Sequence, residues 1–98
     1  MAQRKPQPKK WDLVEVTWLD AVGPSGQLTM EGAEKYPLAT RRTVGYLIVK
    51  NDEKIVLAAT DDRPADDGYI AADVNAIPTP WATTIDVIRR DSDRKKSL

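Results

Sequence analysis

Three residue types are missing from this chain, and each absence removes a class of function. There is no cysteine, so neither a disulfide framework nor a Cys-based zinc site can staple the fold. There is no histidine either, and together these two gaps remove the commonest general base and the best side-chain nucleophile. An enzyme made from this sequence would have to work with carboxylates, Lys, Ser or Tyr. The expectation is therefore a protein that is not an enzyme and needs no cofactor. There is no phenylalanine, so three Trp and three Tyr must supply every ring. No run approaches the roughly 18 consecutive apolar residues of a membrane helix. Residues 1–10 are basic, with no apolar segment after them, so they do not read as a signal peptide. The cytoplasm is the expected compartment, with no membrane partner.

What remains is a chain of 98 residues with 41% hydrophobic and 31% charged side chains, enough for one small core under a charged surface. Its zero net charge conceals a division. Residues 1–10 carry Arg4, Lys5, Lys9 and Lys10. The end, from Arg89, carries five basic residues against Asp91 and Asp93. The middle, 11–88, holds six basic and thirteen acidic residues, a net of minus seven. An acidic body with basic ends is the most suggestive feature of the composition. The expected organisation is a disordered basic tail over 1–10, one domain over 11–90 and a second disordered tail over 91–98.

Between the tails run five β-like segments. Val14, Val16 and Trp18 alternate with Glu15 and Thr17, the period of a half-buried strand. The turn signal Gly23-Pro24-Ser25-Gly26 stops that run. A long connection from Gln27 to Arg42 follows, in which Thr29 can cap a short helix over Met30–Lys35. The runs 43–50 and 54–60 flank Asn51-Asp52-Glu53, residues suited to a tight hairpin turn. The unbroken apolar stretch Val44 to Val49 marks a central strand covered on both faces. A fourth run, 69–77, alternates Ile70, Ala72 and Val74 against Tyr69, Asp73 and Asn75. Pro78 and Pro80 break it before a last strand over 83–90. No 10–15-residue helical pattern is present, so the expected class is all-β: a closed, five-stranded antiparallel barrel with one long loop.

That order, with Ile77-Pro78-x-x-Trp81 leading into the final strand, resembles the SH3-like barrel. In that family a similar apolar-Pro-x-x-aromatic segment forms the 3₁₀ turn before the last strand. The acidic-aromatic first-loop motif of signalling SH3 domains is missing, as is their paired Trp, so recognition of proline-rich peptides is not implied. The segment Val44-Gly45-Tyr46-Leu47-Ile48 running into a charged hairpin, with Ile77-Pro78 near the end, also resembles small accessory proteins of tailed bacteriophages. That resemblance implies a phage-encoded binding module that contacts a host or viral protein.

Four residues, Arg41, Arg42, Tyr46 and Trp81, are candidates for a protein-binding patch, because aromatics and Arg dominate binding hot spots. With no Phe available, Trp18 is expected in the core, and Tyr46, Tyr69 and Trp81 divide between core and surface. Lys9, Lys10, Trp11, Arg94, Lys95 and Lys96 form a second set, suited to nucleic-acid phosphates and bases. The plainer reading is that these tails only solubilise the domain. A third possibility is that the acidic body imitates a nucleic acid and inhibits a protein that binds one. The carboxylates Asp61, Asp62, Asp66, Asp67 and Asp73 lack the spacing of an EF-hand loop and read as a solvated acidic loop. Gly23-x-x-Gly26 is too sparse for a phosphate cradle.

Overall fold

The computed structural model describes residues 7–21, 27–64 and 67–93. The five strands are β1 (Leu13–Asp20), β2 (Ala39–Lys50), β3 (Lys54–Asp61), β4 (Ala71–Pro78) and β5 (Ala82–Arg89). A short helix α1 (Met30–Glu34) lies between β1 and β2, and a 3₁₀ turn (Thr79–Trp81) lies between β4 and β5. The mainly β architecture expected from the sequence is present. The expected turn Gly23–Gly26 and the loop carboxylate Asp66 fall outside the described residues.

All neighbouring strands are antiparallel, in the order β4-β3-β2-β1-β5. The sheet is not closed: β4 and β5 are its two edges, where a closed barrel was expected. What brings its two halves together is a change of partner within β2. Residues 39–46 pair with β1, residues 46–50 pair with β3, and only Tyr46 pairs with both. A strand that changes partner this way turns a corner in the sheet. Side chains from strands that never pair, such as Val14 and Val16 of β1 and Ile55 and Leu57 of β3, therefore meet in one core with Leu47 and Ile77. Trp18, Ala82, Ile85 and Val87 pack against its side.

Gly45 sits at the bend. A Cβ there would lie 2.9 Å from the Ala58 carbonyl oxygen and 2.9 Å from Leu57 Cβ. The crossing of β3 over β2 thus needs a residue without a side chain. Beyond β1 the ladder continues through Trp11 and Asp12. The Leu47 N–H donates to the Asp12 carbonyl at 2.9 Å, and the Trp11 N–H donates to the Leu47 carbonyl at 2.6 Å.

Two burial expectations need correction. Strand β2 is central in the order, yet it is covered on one face only, since Leu47 is 2% exposed and Val44 is 51% exposed. In β4 the buried residue is Ile77, whereas Ile70 and Val74 are exposed. The core-facing register comes from Ile77 opposite Ile55, and Asp73, with φ of 53°, interrupts the simple alternation upstream of it.

The turn at 51–53 follows its chemistry. The Asn51 side-chain oxygen accepts from the N–H groups of Glu53 and Lys54, each at 2.9 Å, an Asx-type closure. Thr29 caps α1 by accepting from the Gly32 N–H at 3.0 Å, as its position before the helix suggested.

Candidate functional site

The site with the most binding character lies at the far end of β1. Trp18 continues the inward row of Val14 and Val16, but the strand here has run past the core, so the ring is only half-buried. Its Nε1–H donates to Thr43 Oγ1 at 2.9 Å, which fixes the indole. Trp81 ends the 3₁₀ turn, whose entry is stiffened by Pro80. The two rings lie nearly parallel, 17° apart, with centroids at 6.4 Å, an offset stack. Trp81 remains 45% exposed.

Beside this stack opens an apolar cleft of about 310 Å³ lined by Leu19, Leu38, Pro80 and Trp81. Leu38 closes the connection that carries α1, and that connection is rich in uncovered apolar side chains. Leu28, Met30, Tyr36 and Leu38 are all exposed, and no residue of α1 is buried. Arg41 stands opposite Trp18 in the ladder and donates through Nε to Asp20 at 3.2 Å. That exposed pair orients the guanidinium more than it stabilises the fold.

The four residues expected to form one patch are divided by the sheet. Of the four, only Trp81 lines the cleft, while Arg41 stands opposite Trp18, on which Trp81 stacks. Arg42 pairs with Thr17 and Tyr46 with Leu13, one rung out of phase with Trp18, so both belong to the opposite face. There the Tyr46 hydroxyl accepts from Arg89 Nη2 at 3.4 Å. Sequence reasoning missed Leu19, Leu38 and Pro80. Leu19 was the available signal, an apolar residue on the polar phase of β1.

A second cluster joins the chain's two ends. Trp11 is buried, and Arg63 Cζ lies 3.9 Å above its ring centroid, a cation–π contact. The ring face expected to meet a nucleic-acid base is therefore taken by Arg63. Arg63 donates to both Asp61 oxygens, at 2.8 and 2.7 Å, and to Asp91 at 2.8 Å. The hydrogen bonds it donates to Asp61 are the main reason its pKa is raised above the usual arginine range.

Asp12, 2% exposed, accepts from the N–H groups of Lys9 and Asp91 at 2.8 and 2.9 Å and from Arg90 Nη1 at 2.7 Å. Burial alone would raise its pKa. The backbone donors, together with the hydrogen bond and charge of Arg90, outweigh that and hold it below 3.8. Among the described residues no buried side-chain nitrogen or oxygen lacks a partner. The cluster therefore has the satisfied geometry of a clasp.

Lys9 and Lys10 are exposed beside this clasp, and Arg94, Lys95 and Lys96 fall outside the described residues. The loop carboxylates are spread: Asp61 is held by Arg63, and Asp67 accepts from the Tyr69 N–H at 3.0 Å. Among the described residues no three acidic side chains converge on a metal position. Comparison with protein-family models, curated proteins and solved structures finds no match, so function must be argued from these side chains alone.

Proposed function

We propose that this protein is a non-enzymatic binding module that grips a partner protein through the Trp18–Trp81 cleft. The observation that carries the reading is an exposed indole held in place by a second, hydrogen-bonded indole, with uncovered leucines on either side. A ring already ordered before binding gives up little freedom when it is covered. Trp and Arg at the centre of a contact contribute most of its affinity, and Arg41 is paired with Trp18 in the ladder.

The finer fold assignment belongs to the same proposal. The order β4-β3-β2-β1-β5 and the turn that carries Ile77-Pro78-x-x-Trp81 from one sheet edge to the other support an SH3-like module in partly open form. With the likeness to small phage accessory proteins, this favours a phage-encoded protein working in the host cytoplasm on a host or viral protein.

The test compares wild type with Trp81→Asp and Leu38→Asp as immobilised baits in bacterial host lysate. Leu38 is well exposed, so Leu38→Asp should melt like wild type, while Trp81→Asp gives up the stack on Trp18 and should keep a cooperative melt at a somewhat lower midpoint. A partner retained by wild type should bind each variant about 30-fold more weakly, which corresponds to a hot spot of roughly 2 kcal/mol. Equal capture by all three baits would remove the cleft from the function.

A further inference from the structure

Two segments close over one end of the sheet without belonging to it. Residues 7–12 precede β1, and residues 90–93 follow β5. Asp12 is their junction. Its Oδ2 accepts from the Lys9 N–H at 2.8 Å and from Arg90 Nη1 at 2.7 Å, and its Oδ1 accepts from the Asp91 N–H at 2.9 Å. Arg90 Nη1 also donates to the Gln7 carbonyl at 2.9 Å. Asp91 in turn accepts from Arg63, whose guanidinium lies over the Trp11 ring. One carboxylate thus ties the two segments together, and the second segment helps to hold Arg63 on Trp11.

The closed arrangement carries strain. Trp11 has φ of 72°, a left-handed backbone that a residue with a Cβ adopts only at a cost. It is kept there by its N–H, which donates to the Leu47 carbonyl, and by its ring beneath Arg63. Opening relaxes this residue. The fastening and the core also rest on different chemistry. Val14, Val16, Leu47, Ile55, Leu57 and Ile77 are all aliphatic, so a proton that acts on Asp12 leaves the contacts among them intact.

We propose that residues 7–12 and 90–93 form an acid-released latch, which comes off Trp11 as a unit while the five-stranded core stays folded. The charged groups around Asp12 are Lys9 and Lys10 on its own segment, Arg90, Asp91 and Asp93 beyond β5, and Asp61 and Arg63 at the end of β3. Every group bonded to the Asp12 carboxylate is a donor. A proton added there is one more donor among donors, and it cancels the attraction for Arg90. Burial pushes the Asp12 carboxyl up, and the Asp91 and Lys9 N–H groups together with Arg90 outweigh that, so the closed form takes up the proton less readily than the open one. Acid therefore drives opening. With no histidine in the chain, the latch stays shut around neutral pH.

The test follows the full chain from neutral pH down to about pH 2 by acrylamide quenching of tryptophan fluorescence and by far-ultraviolet circular dichroism. Quenching should rise in a step below pH 3.8, before the β-sheet signal is lost. Trp11→Phe, with an unchanged sheet signal at neutral pH, should lack that step. In nitrogen–proton spectra the Lys9 and Asp91 amides should move together through the step while Ile55 and Leu57 stay in place. Asp12→Asn should show the open pattern already at neutral pH, with the core resonances dispersed as in wild type. Coincident loss of quenching protection and sheet signal overturns the latch, because the whole domain then opens at once. A step that persists in Trp11→Phe overturns its assignment to this ring. An Asp12→Asn variant that stays closed at neutral pH and opens in acid like wild type overturns Asp12 as the group that releases it.

Discussion

Asp12 concentrates more of this structure's logic than any other residue. It is buried, charged, and bonded to both ends of the chain at once. A carboxyl group whose pKa is lower in the folded than in the unfolded state binds fewer protons when folded. It therefore adds stability above its unfolded value near 3.8, and that contribution disappears as pH falls through the lowered folded value. Urea denaturation should show Asp12→Asn well below wild type at neutral pH, with the gap shrinking as pH falls below 3.8. A gap of constant size across that range would mean the carboxylate is not the group that matters. In the sequence Asp12 was one more acidic residue after Trp11. Its role required Arg90 and Asp91 to arrive from the other end of the chain, and no local pattern announces a partner nearly eighty positions away.

Trp11 departs from its expected place for a similar reason. The sequence places Trp11 at the edge of a lysine-rich tail, where an exposed ring is the natural expectation, and the fold buries it beneath Arg63. Trp81, after two prolines, is carried by the 3₁₀ turn onto Trp18 with its outer face left open.

Among the elements, the hairpin and the helix cap were legible because their determinants are local. Asn51 closes a turn with its own side chain, and Thr29 caps the turn that follows it. Strand β2 was legible as a strand, although its extent and its covered face were not. It begins at Ala39, five residues before the apolar run, because residues 39–43 find partners in β1 and not because they are apolar. The run Val44 to Val49 looked uniformly buried, yet pairing alternates its side chains across the sheet and only one face has a core. Leu47→Asp places a charge among Val14, Ile55 and Leu57 and should cost more than about 4 kcal/mol, abolishing the cooperative transition. Val44→Asp puts the same charge on the open face and should keep a cooperative melt, with a midpoint shifted by a few degrees. Equal loss in both variants would mean that the outer face of β2 is covered as well.

For the whole molecule, the decisive event is the fold of the sheet about Gly45 and Tyr46. The bend converts a flat meander into a structure whose interior is shared by β1, β2, β3, β4 and β5. Stability should be graded accordingly. Native-state hydrogen exchange should find the slowest amides at Leu47, Ile55 and Leu57, and the fastest over 27–38, where no residue of α1 is buried. Comparable protection over both regions would contradict a core confined to the folded sheet. The same geometry sets the cleft, at the Asp20 end of β1, apart from the Asp12 clasp at its Leu13 end.

The sequence by itself determined the class of this protein. Alternation, turn chemistry and the absence of helical periodicity require β-strands joined antiparallel, because each of those signals acts over a few residues. The missing Cys and His and the split of charge between body and ends are likewise properties of composition that no folding alters. Tertiary structure alone decided that the sheet stays open, that β2 changes partner at Tyr46, that Trp18 and Trp81 stack, and that Asp12 joins Lys9 to Arg90 and Asp91. Each of these depends on residues far apart in the chain meeting at specific distances. Such meetings are chosen by the packing of the entire core, and no segment carries them alone.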